Sequence, residues 1–258
     1  MVSNNKTVIV TGASKGIGRA ACVQLIKANA NVVGIARSEP DLESLVQECK
    51  EIDGTGRFVY VVGDVTEQGT CKALVDKAVS EFGGIDGLVN NAATLFPLGV
   101  LSTLPKEQVR KHFDINLVSI LQLTQLALPY LRKSKGRVVN ISSGSAVRPM
   151  YSSGLYTTSK YALNMLTANM ALEEPDIAFI ALRPGVVDTD MHTFAREKGM
   201  NYLTPEDYAL FVSLKTESKL LPPSVPGKVI CNLALYLDNS LSGQFLGLDS
   251  EELAPYKD

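Results

Sequence analysis

A doubly wound parallel sheet of the α/β class is the architecture this 258-residue sequence predicts, and three observations predict it. Short β-branched runs alternate with longer helical patterns along most of the chain. The runs are continuously apolar, as strands covered on both faces must be. A glycine-rich segment stands where the first run meets the first helical pattern, the position at which such sheets turn a strand into a helix tightly.

Taken in order, strands are predicted at 7–10, 31–36, 58–62, 87–89, 137–141 and 177–182. Helices are predicted between and after them at about 16–29, 40–52, 67–82, 105–132 and 155–173. Pro105 fits the first turn of its helix and Pro175 ends the last one. Alternation of this kind implies right-handed crossovers. After Gly185 the rhythm breaks: residues 188–223 are polar and irregular, with helical patterns at 191–198 and 205–217, and finish in Leu220-Leu221-Pro222-Pro223. A segment that long beyond a strand reads as a substrate-binding loop rather than a second domain. A helix at 224–237 and a strand at 243–248 complete the sheet, so one domain spanning 1–258 is expected.

Composition removes several function classes. The net charge is −2, with 45% hydrophobic and 20% charged residues, which leaves no electrostatic footprint for nucleic acid or an anionic membrane. No apolar run approaches the roughly 18 residues that span a bilayer. The start, Met1-Val2-Ser3-Asn4-Asn5-Lys6, reads as too short and polar for a signal peptide, and the end, Tyr256-Lys257-Asp258, as no lipidation tail. Cys22, Cys49, Cys71 and Cys231 are far apart, and His112 and His192 stand away from them. No metal site is expected, and reduced thiols in a cytoplasmic protein are.

The segment Val10-Thr11-Gly12-Ala13-Ser14-Lys15-Gly16-Ile17-Gly18 carries the first chemistry. Glycines at that junction let backbone approach a phosphate closely, and the helix N-terminus favours its charge. A plain strand-to-helix turn is the alternative. The end of the second strand bears on which nucleotide binds. An acid about 20 residues after the glycines would suit a ribose 2′-hydroxyl. This chain has Ala36-Arg37-Ser38, so Arg37, Lys15 and Ser38 offer two cations and a hydroxyl to a 2′-phosphate. NADPH is therefore the expected cofactor.

Tyr156-Thr157-Thr158-Ser159-Lys160 carries the second. Residues four apart on a helix are neighbours, so Lys160 is expected to favour the ionised Tyr156 phenol and draw its pKa down from about 10. Such a phenol can exchange a proton with a substrate oxygen. Two serines precede it, Ser142 and Ser143, whose hydroxyls could equally serve local backbone.

Together these elements resemble the short-chain dehydrogenase/reductase family over roughly residues 6–248. The resemblance is carried by Thr11-Gly12-x3-Gly16-x-Gly18, Asp64-Val65, Asn90-Asn91-Ala92, Asn116, Ser143, Tyr156-x3-Lys160 and Pro184-Gly185-Val186-Val187-Asp188-Thr189. Ala36-Arg37-Ser38, Leu182-Arg183-Pro184-Gly185 and Ser224-Val225-Pro226 are similar to the sepiapterin-reductase-like branch, and within it to the fungal benzil-reductase type, which reduces one carbonyl of an aromatic 1,2-diketone. The resemblance implies a Rossmann-type fold and a carbonyl reductase taking a small, apolar or aromatic ketone or 1,2-diketone.

It also implies roles. Tyr156 would give the proton, and Lys160 would tune it and hold the nicotinamide ribose. The serine thirteen positions earlier, Ser143, would polarise the carbonyl, and Asn116 would hold a water relaying protons to Lys160. Cofactor contacts would come from Gly12, Ser14, Lys15, Gly16, Ile17 and Gly18, from Arg37 and Ser38, and from Asp64 and Val65. Asn90 and Ala92 would add to these, as would Tyr156, Lys160, Pro184, Gly185, Val187 and Thr189. Leu95, Phe96, Ser145, Val147 and Met150, with the 188–221 loop, are candidates for the substrate pocket. His112 reads as a surface or interface residue.

Two departures stand out: Ala93 replaces the glycine usual after Asn-Asn-Ala, and Gly247-Leu248-Asp249-Ser250 replaces the usual Asp-Gly-Gly. A homodimer through helices 105–132 and 155–173 is implied. A 3-oxoacyl or other ketone reductase, or a non-catalytic NADP-binding sensor, are the alternatives. The basic cluster Arg132, Lys133, Lys135 and Arg137 that an acidic acyl carrier would need stands at a strand start, remote from the cleft.

Overall fold

The computed structural model describes residues 5–257; Met1–Asn4 and Asp258, on which the readings of both termini partly rest, lie outside them. Seven parallel strands form one sheet in the order β3-β2-β1-β4-β5-β6-β7. They are β1 (Thr7–Thr11), β2 (Asn31–Ala36), β3 (Phe58–Val62), β4 (Gly87–Asn90), β5 (Arg137–Ile141), β6 (Ala178–Arg183) and β7 (Phe245–Gly247). The helices α1 (Gly16–Lys27), α2 (Glu39–Lys50) and α3 (Gln68–Phe82) follow the first three strands. The first two strands are buried throughout, which is why they read as unbroken apolar runs.

Two apolar clusters hold the layers together. Val8, Val10, Leu25 and Ile26 meet Val229, Ile230 and Leu233 of the late helix α9 (Ser224–Tyr236) on one face. Ile9, Leu74, Leu88, Leu123 and Phe179 pack on the other. The chain reverses its winding between β1 and β4, so a crevice opens beyond the carboxyl ends of those strands. The basic cluster lies at the opposite end, where Arg137 begins β5.

The helix expected over 105–132 is instead two. Helix α4 (Lys106–Phe113) and helix α5 (Ser119–Ser134) are joined by a π turn at Asp114–Val118. One extra residue per turn swings Asn116 inward, where its amide accepts from Thr94 N at 2.8 Å and donates to Thr94 O at 2.9 Å. A tertiary bond, which no glycine or proline announces, makes the break. Pro105 caps α4 from outside its first turn.

Helix α6 (Gly154–Glu173) follows β5. Between β6 and α9, the helical patterns form α7 (Asp190–Lys198) and α8 (Pro205–Thr216). Thr204 starts α8, accepting from Asp207 N at 3.1 Å. The backbone at 184–189 and 217–223 is irregular, pinned by a bridge between Val187 and Leu221.

Candidate active site

A cavity of about 1340 Å³ occupies the crevice. One end of it is built on the loop between β1 and α1. Gly12 sits at φ +65°, and a Cβ there would come within 2.8 Å of Asn91 Nδ2, so only glycine fits without strain. Gly18 packs on the loop itself: its Cβ would lie 2.2 Å from Gly12 O. Neighbouring strand ends are tied together by hydrogen bonds. Asn91 N and Ala92 N both donate to Thr11 Oγ1 at 2.9 Å, and Asn91 Nδ2 donates to Thr11 O at 2.9 Å and Gly12 O at 3.3 Å.

Gly12, Ser14, Lys15, Gly16, Ile17, Arg37 and Ser38 all line this end, as do Asp64, Val65 and Ala92. Pro184, Gly185, Val187 and Thr189 line it from the far side. Arg37 is exposed. Burial opposes the charge on Asp64, but bonds from Thr66 N and Thr66 Oγ1 and the Arg37 guanidinium hold its carboxyl below the ordinary value. Asp41, which the pattern did not single out, also faces the cavity; Lys15 Nζ lies 3.4 Å from it and 3.8 Å from Asp190. Both pairs are largely exposed and hold Lys15 only weakly.

Three expected cofactor or relay residues do not line the cavity. Gly18 contributes by close packing. Asn90 is buried beneath the site, donating to Asn140 Oδ1 at 2.8 Å. Asn116 is buried too: its Oδ1 accepts from Thr94 N, and its Nδ2 donates to Thr94 O and His112 Nε2.

Ser143, Tyr156 and Lys160 all line the cavity. Ser143 ends β5 and caps the short turn Gly144–Val147, accepting from Ser145 N at 3.1 Å. Ser142 spends its hydroxyl on Asn164 Oδ1 at 2.6 Å, which leaves Ser143 as the serine facing the phenol. The expected lowering of the Tyr156 pKa is not observed. Burial pushes the phenol above its ordinary value, and the Ser143 hydroxyl bond only partly offsets this. The reason lies in where the ammonium goes: Lys160 Nζ donates to Ile141 O at 2.7 Å and stands 5.8 Å from the Tyr156 ring centroid, over its face. Lys160 is 1% exposed, and burial brings its pKa down to about 8.

His112 is also a correction. It is 1% exposed, not a surface residue, because the π turn folds α4 against α6. Its Nδ1 is 2.9 Å from Phe96 O, so Nδ1 carries the proton. Its Nε2 accepts from Asn116 Nδ2 at 3.0 Å, with Ser159 Oγ 3.3 Å away. Ser159 Oγ in turn donates to Tyr156 O at 2.8 Å. The network joins the cavity wall at Thr94–Phe96 to the helix that carries Tyr156 and Lys160. Burial chiefly, with the Lys160 charge, lowers the His112 pKa, in keeping with a neutral ring.

The other end of the cavity is apolar. Leu95, Phe96, Val147 and Met150 line it beside Ser145, opposite Leu203, Leu210, Phe211 and Leu214. Asp249, in the departing tail, pairs with Arg183 at the rim. Among the described residues no cluster of His, Cys, Asp and Glu could hold a metal ion, and no helix is long and apolar enough to cross a membrane.

The short-chain dehydrogenase family model matches residues 6–199. The chain belongs to that family. Its members bind a nicotinamide cofactor, and this short-chain dehydrogenase/reductase is an oxidoreductase acting on a small-molecule substrate. It is 38% identical to a benzil reductase ((S)-benzoin forming) of Saccharomyces cerevisiae, over 97% of this chain and 98% of that one. A Bacillus cereus benzil reductase is 32% identical over 94% of this chain and 98% of its own. The crystal structure of a Saccharomyces cerevisiae short-chain dehydrogenase/reductase superimposes with a TM-score of 0.94 at 38% identity, covering 98% of this chain and all of that one.

Proposed function

We propose that the protein is an NADPH-dependent carbonyl reductase of one catalytic domain, taking a small apolar or aromatic ketone or 1,2-diketone, with Tyr156 as proton donor. The observation that carries this reading is that Ser143, Tyr156 and Lys160 line one cavity together with the apolar side chains Leu95, Phe96, Val147 and Met150. Two hydroxyls converging on one point suit a carbonyl oxygen, which has two lone pairs to fill. As charge grows on that oxygen the pair stabilises it, and the phenol completes the change by giving up its proton. A raised Tyr156 pKa keeps that proton in place at neutral pH, the state reduction requires.

The cofactor fits the chain's own residues. The glycine loop admits backbone close to a pyrophosphate, and Arg37 with Lys15 and Ser38 offers a 2′-phosphate its counter-charge. When bound, the nicotinamide supplies the hydride. Lys160, one turn beyond Tyr156, would hold the adjoining ribose, and the apolar wall keeps water from the reacting carbon. Asn116 would act through backbone position, bracing Thr94.

The reading extends to a homodimer formed through α5 and α6, supported by Tyr161, Met165 and Leu172, which are large, apolar and exposed on α6. A cytoplasmic location is consistent with four free, buried cysteines. The direct test is a panel of carbonyl compounds, benzil included, offered with NADPH and NADH side by side. Oxidation of NADPH with 1,2-diketones, and slower oxidation of NADH, is expected. Cofactor binding without turnover on any carbonyl would favour the non-catalytic alternative.

A further inference from the structure

His192 on α7 has no part in the proton-transfer group, yet it lines the same cavity and is 5% exposed. Its Nδ1 lies 3.3 Å from Arg196 Nη1. A guanidinium can only donate, so Nδ1 accepts and the ring proton sits on Nε2. Burial first, and then the Arg196 charge, lowers the His192 pKa and keeps the ring neutral. Asp188 pulls the other way, but it is bonded to Lys215 at 2.6 Å. The ring rests on Phe211, with centroids 5.4 Å apart. The result is a buried N–H donor, Nε2, with no hydrogen-bond partner, on a side chain that lines the cavity. A donor left that way costs about 1–3 kcal/mol, which an arriving acceptor would relieve.

The acceptor is not the reacting oxygen, whose two lone pairs are taken by Ser143 and Tyr156 in the proposed reaction. We infer that His192 Nε2–H binds a second oxygen of the substrate, next to the carbonyl being reduced, so that the site selects vicinal dicarbonyl compounds over simple ketones. The inference rests on the carbonyl-reductase reading and narrows it. It would also confine reduction to one carbonyl: the oxygen held by His192 is kept from the Ser143–Tyr156 pair.

The test compares benzil with deoxybenzoin, the same skeleton lacking one carbonyl, in steady-state kinetics with NADPH. Wild-type protein should favour benzil. His192→Phe keeps a ring against Phe211 but removes the donor. It should lower kcat/KM for benzil about tenfold or more, chiefly through KM, and leave deoxybenzoin within about twofold. His192→Gln, which retains an N–H, should recover part of the loss; His192→Met serves the same comparison if the Phe variant does not fold. An equal fall on both substrates, or none on either, would overturn the inference and assign Nε2 to packing or to a bound water. Wild-type protein inactive on both ketones would instead overturn the carbonyl-reductase reading, and the inference with it.

Discussion

At the glycine-loop end of the cavity, Thr11, Gly12, Asn91 and Ala92 hold one another through hydrogen bonds of 2.9–3.3 Å. Across the cavity, α7 and α8 present Leu210, Phe211, Leu214 and a histidine whose Nε2 bonds nothing. The first end is complete before any ligand arrives, as suits a cofactor whose phosphates never vary. The second is apolar and lacks one polar partner, which leaves the substrate to supply it. The two cavity histidines repeat the contrast: His112 has partners at both ring nitrogens, and His192 at one.

Substitutions at each end should therefore move different constants. The largest effect is expected where the two ends meet, at Lys160. Lys160→Met should lower kcat by roughly 10²–10⁴-fold while raising stability at neutral pH by on the order of 2 kcal/mol, the relief of burying a charge less the bond lost at Ile141 O. The sign follows from linkage. Below about pH 8 both folded and unfolded wild-type chains carry the Lys160 proton and the burial penalty is complete. Between about 8 and 10.5 the folded state sheds that proton first, so the wild type gains on the variant as pH rises. Thermal melts of both proteins across that window check it.

Next in size is Arg37→Asp. It should weaken NADPH binding by about 10–100-fold, leave NADH binding unchanged or tighter, and not alter the ketone KM at saturating cofactor. A change in the ketone KM would break the division between the two ends.

His112→Phe sharpens the comparison from the other side. It should cost about 1–3 kcal/mol and raise the ketone KM several-fold by loosening the Thr94–Phe96 wall, with NADPH affinity kept. His112 also predicts an acid limb. Its pKa is lowered on folding, so below about 6.5 the unfolded chain takes a proton that the folded one resists, and stability is lost as the pH is lowered. The variant should flatten that limb in urea titrations. The smallest effect is expected of Asp41→Asn, within about threefold on NADPH affinity, since its pair with Lys15 is exposed.

That the glycine loop and Arg37 share one end of the cavity was legible in the sequence, because the signals are local: glycines between strand and helix, an arginine at a strand end, apolar runs closed by proline and glycine. What was not legible depended on contacts between distant segments. The π turn at Asp114–Val118 exists because Asn116 reaches Thr94, and the same fold buries His112. The i, i+4 spacing of Tyr156 and Lys160 gave their proximity but not the direction of the ammonium, which Ile141 O decides. Asp41 carries no sequence signal; it stands in the first turn of α2, and only the fold brings it beside Lys15. His192 could be placed in the substrate loop by pattern, but its missing partner is visible only with its neighbours in place.

The central claim is that Tyr156 gives the proton to a carbonyl polarised by Ser143. Turnover of benzil with NADPH by wild-type protein and by Tyr156→Phe, both verified by melting temperature and NADPH affinity, tests it most directly. A loss of kcat of about 10²–10⁴-fold in a variant that folds and binds NADPH as the wild type does is the predicted result. Retained turnover in that variant would contradict it.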